Sequence, residues 1–288
     1  MKAIERYVAP RSLEEAVEIL NAGDASVLAG GTDLMPQTRA DRLQFKPLLM
    51  NLRYLLELKG VVEEAGSVRI GALVTITELL ESTLVRQRLN LLWQACDHFA
   101  SDQIRNAATI GGNLCNASPA GDTLVPLLAL DARVVLAGKH GGVLQARRVP
   151  LSRFFVGPGR TCRAPSELLT TVEVPLPAPG FAGEFYKHGA RPALDIAAIS
   201  IAVGARRDGQ VLRDVRIAFG AVAPTPIRVP RAEAALEGRT IEKATLETAV
   251  QTALQEIRPI SDLRASDWYR RELVHNMLQR VVSHVCRL

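Results

Sequence analysis

Two glycine pairs, Gly30-Gly31 and Gly111-Gly112, constrain what this chain can fold around more than any other feature of its sequence. The first pair continues into Thr32-Asp33-Leu34, and the second is embedded in Thr109-Ile110-Gly111-Gly112-Asn113. A single Gly-Gly pair is commonly a tight turn that needs positive φ. Two pairs, each leading into small hydroxylated and acidic residues, favour another interpretation, in which backbone N–H groups reach the diphosphate of a cofactor from two sides.

The residues around the first pair support this interpretation. The pair stands between a predicted strand, Ala25 to Ala29, and a helix that Thr32 or Asp33 can cap, with Pro36 in its first turn. A strand, a glycine pair and a helix start in this order make a ready anion site. Neither pair belongs to G-x-G-x-x-G or to G-x-x-x-x-G-K-[ST], which excludes an ordinary dinucleotide-binding α/β fold and an ATP-binding P-loop.

Capping signals and hydrophobic periodicity mark the other elements. Ser12-x-x-Glu15 is a capping-box pattern that opens a helix ending at Gly23, and Thr75-x-x-Glu78 is a second such pattern. The remaining predicted elements are a strand over 68–74, a helix over 89–100, a turn-rich loop over 116–122, a hairpin turning at 140–142, strands over 196–205 and 211–222, and helices over 243–257 and 266–286. The proline-rich segment 175–180 predicts a stiff link between two domains.

The composition is that of an ordinary globular protein, since 48% of the 288 residues are apolar and 23% are charged. The sequence contains no transmembrane run and no signal peptide, so we expect no membrane insertion and a cytoplasmic location. The net charge of +5 is scattered, without a basic stripe interleaved with aromatic residues. Nucleic acid is therefore not an expected partner.

Metal-ligand and nucleophile patterns are missing from the sequence. The four cysteines show no C-x-x-C spacing and the five histidines no H-E-x-x-H arrangement, so we expect no metal site. The chain also lacks a nucleophile elbow and a catalytic dyad. We therefore predict no catalytic residue, and a chain whose reactivity belongs to its cofactor.

Three segments carry a resemblance to one family: 27–34, 109–122, and Phe185-Tyr186-Lys187-x-x-x-Arg191-x-x-x-Asp195-Ile196-Ala197. They are similar to the two FAD-binding signatures and the start of the C-terminal domain in the flavin-bearing, medium subunit of molybdenum hydroxylases, such as bacterial xanthine and carbon monoxide dehydrogenases. The resemblance spans essentially the whole chain. It implies an α+β fold, with a two-part FAD-binding domain of the vanillyl-alcohol-oxidase / p-cresol-methylhydroxylase type over 1–176, subdivided near 58. A C-terminal antiparallel sheet packed with helices would follow over 177–288.

The resemblance also implies the residues that hold FAD. Residues 28–34 would wrap the diphosphate through N–H groups, and residues 109–113 would approach it from the other side. Asp122 would accept hydrogen bonds from ribose or ribityl hydroxyls, and Leu169 would lie against the flavin ring. The complete set is Leu28, Ala29, Gly30, Gly31, Thr32, Asp33, Leu34, Phe99, Thr109, Ile110, Gly111, Gly112, Asn113, Asn116, Ser118, Asp122, Leu169 and Lys187.

Three positions in this set or beside it have more than one interpretation. Phe99 would stack on the adenine or belong to the apolar stripe of its helix. Lys187 would reach the polar edge of the flavin, at the other end of the cofactor from Asp122, and stabilise the anionic reduced ring; without the resemblance it is a solvated surface lysine. Relatives vary over the loop 154–161, and the residue of this loop that faces the flavin is left open.

The function implied by the resemblance is electron transfer within a larger oxidoreductase. FAD would collect electrons from a small [2Fe-2S] subunit, which receives them from a molybdenum-cofactor large subunit, and pass them to NAD or another acceptor. A dimer of heterotrimers is expected. The absence of an inserted cysteine cluster counts against the branch that reduces hydroxybenzoyl-CoA. Two alternatives stay open: a self-sufficient flavin oxidoreductase with its own substrate pocket, and a structural subunit that has lost FAD.

Overall fold

The N-terminal part of the chain is a small parallel sheet with two helices. The structure, a computed structural model, describes residues 4–209 and 211–287. The elements of this first lobe are β1 (Arg6–Val8), α1 (Leu13–Asn21), β2 (Ala25–Leu28), α2 (Leu34–Arg39) and β3 (Leu48–Asn51), followed by a 3-10 turn at Leu56–Leu58. Strand β3 lies between β1 and β2 and runs parallel to both. The buried face of α1 joins the core of this lobe.

The middle of the chain forms a second lobe around a five-stranded antiparallel sheet in the order β4-β5-β10-β6-β7, with β8 and β9 as a separate hairpin. The strands are β4 (Val61–Glu64), β5 (Ser67–Gly71), β6 (Arg133–His140), β7 (Val143–Pro150), β8 (Phe155–Gly157), β9 (Arg160–Thr161) and β10 (Leu168–Pro175). The helices are α3 (Ile76–Glu81), α4 (Thr83–Arg88), α5 (Asn90–Asp97), α6 (Asp102–Arg105), α7 (Ile110–Asn116) and α8 (Leu124–Ala129). A 3-10 turn at Leu151–Arg153 follows β7.

The C-terminal part is an antiparallel sheet packed with helices, as the sequence predicted. Its elements are β11 (Phe181–His188), β12 (Ile199–Asp208), β13 (Val211–Gly220), β14 (Ile227–Arg228), α9 (Pro230–Leu236), α10 (Lys243–Glu256) and α11 (Asp267–Val285). The four strands lie in sequence order and have their own apolar core. Gln94 of α5 joins this part to the second lobe, because its amide donates to Gly183 O at 3.2 Å and accepts from Phe185 N at 2.7 Å. Among the described residues, no helix has the length and apolar character to cross a membrane.

The capping predictions at Ser12 and Thr75 are confirmed, with one difference at Ser12, whereas Asp33 is the N-cap residue of α2 but makes no side-chain capping hydrogen bond. Thr75 and Glu78 form a complete capping box, since each side chain accepts from the other residue's backbone N–H. Ser12 Oγ accepts from Glu15 N at 3.2 Å, but the Glu15 carboxylate turns to Arg11 N instead of closing the box. The larger difference concerns the second glycine pair, which lies inside helix α7 and not in a turn. Helix α9 was not predicted.

Candidate cofactor site

A cleft of about 510 Å³ runs between the first and second lobes, and both glycine pairs line it. Its two polar walls are the segment after β2 and the first turn of α7. Apolar side chains such as Leu52, Leu73 and Leu168 form a further, apolar side of the cleft, and they belong to the core of the first lobe. The cleft therefore combines an apolar side with main-chain walls, as a cofactor with rings and phosphates requires.

The first wall offers free hydrogen-bond donors. The backbone N–H groups of residues 30–34 donate to no acceptor among the described residues, although all five residues line the cleft. Gly31 has φ of +74°, a conformation in which a side chain is strained. A Cβ at Gly30 would lie 1.9 Å from the Ala107 carbonyl oxygen, so this position has no room for one. The glycines thus shape a loop whose N–H groups remain available for an anion.

The second wall differs, because its N–H groups are already used. Ile110 N donates to Val74 O, and Gly111 N donates to Ala72 O, both at 3.0 Å. The next two N–H groups, of Gly112 and Asn113, donate to the side chain and carbonyl of Thr109. The expectation that both glycine pairs present free N–H groups is therefore wrong for 110–113.

The two positions of the second pair are glycine for different structural reasons. A Cβ at Gly111 would lie 2.7 Å from the Ala72 carbonyl oxygen, so this glycine allows close packing within the protein. A Cβ at Gly112 would meet only Thr109 Oγ1, at 2.9 Å, and Gly112 lines the cleft. Of the pair, only Gly112 keeps the wall of the cleft open for close approach.

Two amides of α7 also face the cleft. Asn113 Oδ1 accepts from the buried Thr123 hydroxyl at 2.7 Å, which fixes the side chain of Asn113. Asn116 Oδ1 accepts from Gln37 Nε2 of α2 at 2.9 Å. This second bond spans the cleft and ties the helix after the first glycine pair to the helix that contains the second.

Asp122 and Lys187 form one ion pair. Lys187 Nζ lies 2.8 Å from Asp122 Oδ2 and 3.1 Å from the carbonyl oxygen of His98, and the two charged side chains are 8% and 11% exposed. The interpretation of Lys187 as a solvated surface lysine is therefore wrong. So is the expectation that the two residues lie at opposite ends of the cofactor, because they are in contact.

Asp122 keeps one free acceptor. Its Oδ1 is buried and has no hydrogen-bond partner among the described residues. Burial raises the pKa of Asp122 to about 6, although the neighbouring Lys187 ammonium opposes the shift. A hydroxyl donor from a bound ligand would satisfy this oxygen, which agrees with the predicted role of Asp122 toward a sugar or ribityl chain.

Most of the predicted site residues line the cleft, and Phe99 is both part of its wall and part of the core. Ile110 is fully buried, and Ser118 Oγ accepts from Ala120 N at 3.3 Å. Lys187 lines a neighbouring cavity of about 430 Å³, bounded by the loop 189–195. The predicted residues in the cleft wall are Ala29, Gly30, Gly31, Thr32, Asp33, Leu34, Phe99, Thr109, Gly111, Gly112, Asn113, Asn116 and Leu169; those outside it are Leu28, Ile110, Ser118, Asp122 and Lys187.

Several residues of the cleft were not predicted. Gln37, Lys46, Cys115 and Arg163 line it, and no motif in the sequence singles them out. Within the variable loop 154–161, Gly159 is the residue in the cleft wall, while Phe154 is fully buried. These residues reach the cleft through contacts between segments far apart in the chain.

The residues present fit FAD. Free N–H groups over 30–34 suit a diphosphate, the unpartnered Asp122 oxygen suits a hydroxyl, and the apolar wall suits aromatic rings. Two family models agree with this fit. Residues 2–177 match the FAD binding domain in molybdopterin dehydrogenase, and residues 184–285 match the CO dehydrogenase flavoprotein C-terminal domain.

Relatives and solved structures cover nearly the whole chain. The chain is 34% identical to the xanthine dehydrogenase FAD-binding subunit of Escherichia coli O157:H7, over 96% of this chain and 94% of that protein. It is 33% identical to the carbon monoxide dehydrogenase medium chain of Hydrogenophaga pseudoflava, over 96% and 95%.

The structure agrees with these sequence matches. It superimposes on a chain of carbon monoxide dehydrogenase from Hydrogenophaga pseudoflava with a TM-score of 0.93 at 33% identity, covering 98% and 97% of the two chains. It superimposes on a chain of quinoline 2-oxidoreductase from Pseudomonas putida 86 with a TM-score of 0.91 at 31% identity, covering 100% and 99%. The predicted family, fold and cofactor are confirmed. The chain belongs to the FAD-binding medium subunits of the molybdenum hydroxylases, which are oxidoreductases.

Proposed function

We propose that this chain receives electrons from an iron–sulfur subunit and passes them through FAD to NAD or another acceptor. The observation that carries the proposal is the cleft with free N–H groups over 30–34 and an apolar wall, and the Lys187–Asp122 ion pair adds a carboxylate oxygen that has no partner. The cleft supports FAD binding, and the described residues include no cluster of His, Cys, Asp or Glu side chains that could hold a metal ion. Bound FAD supplies two-electron and one-electron redox chemistry.

The residues of the chain divide the work of holding the cofactor. N–H groups over 30–34 would bind the diphosphate, and Gly112 would allow the cofactor backbone to lie against α7. Asp122 Oδ1 would accept from a hydroxyl of the ribityl chain or the ribose. Lys187 would hold its positive charge close to that point, where it favours an anionic reduced ring. Leu169, which is 3% exposed, would lie against the ring and exclude water.

We propose the same partners that the family resemblance implies. A molybdenum-cofactor subunit would oxidise the substrate and a small [2Fe-2S] subunit would relay the electrons, in a dimer of heterotrimers. The relatives' name "medium chain" supports an assembly of several subunits. We also propose a cytoplasmic location, because the four cysteines are free thiols, the state that a reducing compartment maintains.

Anaerobic reduction tests this role. Purified chain loaded with FAD should stay oxidised when candidate substrates are added, and its flavin should bleach when the co-purified iron–sulfur subunit is reduced. Titration with NADH reports whether NAD is the acceptor. Turnover of a small substrate by the chain alone would instead support a self-sufficient oxidoreductase. A colourless protein that takes up no added FAD would support the structural-subunit alternative and overturn the proposal.

A further inference from the structure

The cleft carries a positive charge without an acidic partner. Arg163 lines the cleft and is half-buried, and no carboxylate of the described residues lies within ion-pair distance of its guanidinium. Its neighbour Arg147 differs, because it pairs with Glu167 through Nε and Oε1 at 2.6 Å. A partly buried cation that lacks a counter-charge is costly in an unliganded protein, and an anionic ligand relieves that cost.

Neutral groups hold the Arg163 guanidinium in place. Its Nη1 donates to the carbonyl oxygens of Ala164 at 3.0 Å and Glu167 at 2.5 Å. Its Nε and Nη2 donate to no oxygen of the described residues. Nη1 is therefore held by two carbonyl oxygens, while the other N–H groups have only the neighbouring Cys115 thiol as a weak acceptor and can donate to an anionic ligand.

The guanidinium lies beside α7. The pKa of the Cys115 thiol is raised by burial and lowered by the charge and hydrogen bond of Arg163, so the two side chains are neighbours. Cys115 follows Gly112 by three residues, and both line the cleft. Three residues are about one helical turn, a rise of about 4.5 Å. The segment before Arg163 also contacts α7 directly, because Gly159 N donates to Ala117 O at 3.0 Å. Arg163 therefore lies on the side of α7, and it lines the same cleft as Gly112.

We propose that Arg163 binds the diphosphate of FAD from the side of α7. In the unliganded chain the N–H groups of residues 110–113 donate to protein acceptors, whereas the first wall has free N–H groups, so a cation on the side of α7 would add a contact that its main chain does not offer freely. The diphosphate would then be held by main chain on one side and by a side-chain cation on the other. This inference rests on the assignment of FAD to the cleft.

Equilibrium titration of the apo chain with FAD tests the proposal, with Arg163→Met and Arg160→Met as a matched pair. Arg160 lies on β9, three residues before Arg163, and carries the same charge, but it is exposed and outside the cleft. Arg163→Met should raise the Kd for FAD about 10- to 100-fold, the usual effect of losing a hydrogen bond to a charged group. Arg160→Met should leave the Kd unchanged, and Arg163→Lys should recover part of the loss because it keeps the charge.

Two further measurements distinguish a contact with the diphosphate from a general structural effect of the substitution: the salt dependence of the Kd, and binding of ligands that contain only part of FAD. The Kd of wild type should rise with salt concentration, and the slope should be smaller for Arg163→Met. In Arg163→Met, the affinity for ADP, measured by competition, should fall in parallel with the affinity for FAD. The weak affinity for riboflavin, which has no phosphate, should not change. Equal Kd values and equal salt slopes for wild type and both Arg163 variants would overturn the role of Arg163 while leaving FAD in the cleft. Failure of wild type itself to take up FAD would overturn the cofactor assignment as well.

Discussion

The two glycine pairs look alike in the sequence and differ in what they do. Beginning with the first pair, five consecutive residues of the cleft wall, 30–34, have N–H groups without an acceptor among the described residues, and Gly31 has a left-handed backbone conformation. The second pair lies in a helix whose first N–H groups are taken by Ala72, Val74 and Thr109. A glycine pair therefore predicts close approach of some group, but the group can be a ligand or the protein's own backbone.

The largest expected effect is on the stability of the apo chain, and it distinguishes a glycine that protein packing requires from a glycine that only cofactor binding requires. Gly30→Ala should lower the free energy of unfolding of the apo chain by about 3 kcal/mol, the upper end for an overpacked site, because its Cβ would lie 1.9 Å from Ala107 O. Denaturant unfolding without FAD measures this. Gly112→Ala is the control and should stay within about 1 kcal/mol of wild type, since it meets only Thr109 Oγ1. Equal losses in both variants would contradict the distinction between the two glycines.

The second effect concerns FAD alone. Gly112→Val should abolish FAD retention on gel filtration and raise the Kd by about 100-fold or more, about 2.7 kcal/mol, while the chain still folds. The reason is that the branched side chain fills the open face of α7 in the cleft. Flavin absorbance per protein and circular dichroism of the apo chain measure the two properties. Unchanged flavin occupancy would remove the second wall from the diphosphate site.

The third effect tests the free oxygen of Asp122. Asp122→Ala should weaken FAD binding by about 1–3 kcal/mol, the cost of losing a charged hydrogen-bond partner. In wild type, a hydroxyl that donates to Asp122 favours its ionised form and lowers its pKa below the value of about 6 in the apo chain. Binding then releases a proton below pH 6, so the Kd should be constant above that pH. The Kd should rise about tenfold for each pH unit below pH 6.

Two controls accompany the pH prediction. Asp122→Asn cannot titrate and should give a flat Kd over the same range. The free energy of unfolding of the apo chain should change in the opposite direction, falling with rising pH where the affinity for FAD increases. Because the folded pKa of Asp122 is raised, its protonated form favours folding, and this contribution is lost as the pH rises from about 4 through 6. A Kd that is equally pH-dependent in Asp122→Asn would exclude this carboxylate from the site.

The smallest expected effect concerns the bond across the cleft. Gln37→Met keeps the size of the side chain but removes the donor to Asn116, and should speed FAD dissociation about fivefold, since one neutral hydrogen bond contributes about 1 kcal/mol. Stopped-flow displacement of FAD measures the rate. Arg39→Met on the same helix is exposed and outside the cleft, and should dissociate as wild type does. An identical rate in Gln37→Met would mean that the bond does not restrain the cofactor.

Local chemistry explains which parts of this structure could be predicted. The Ser12 and Thr75 caps, β2 and the loop after it depend on residues a few positions apart, and the sequence patterns were sufficient for them. Helix α7 escaped prediction because glycine is a poor helix former, and its first N–H groups are held by Ala72 and Val74, nearly forty positions earlier. Tertiary contacts of this kind leave no local signal.

The side chains that complete the site were equally beyond local patterns. The contact between Asp122 and Lys187 joins two parts of the chain that have separate cores, so their spacing in sequence carries no information about distance. No sequence pattern distinguishes Arg163 from a surface arginine, because its proximity to Cys115 arises only in the folded chain. The family resemblance supplied Asp122 and Lys187, but not Arg163, Gln37 or Lys46.

The Asp122–Lys187 contact has a consequence for how such chains can be recombined. Lys187 lies on β11, opposite Ser200 of β12, within the C-terminal domain, whereas Asp122 belongs to the FAD-binding domain. An exchange of C-terminal domains between relatives would therefore also exchange one half of this buried ion pair, which we propose contributes to the FAD site. Chimeras in which the new domain lacks a cation in this register would leave a buried carboxylate alone. On this proposal, a compatible cation at the position of Lys187 is one requirement for two such domains to hold a flavin together.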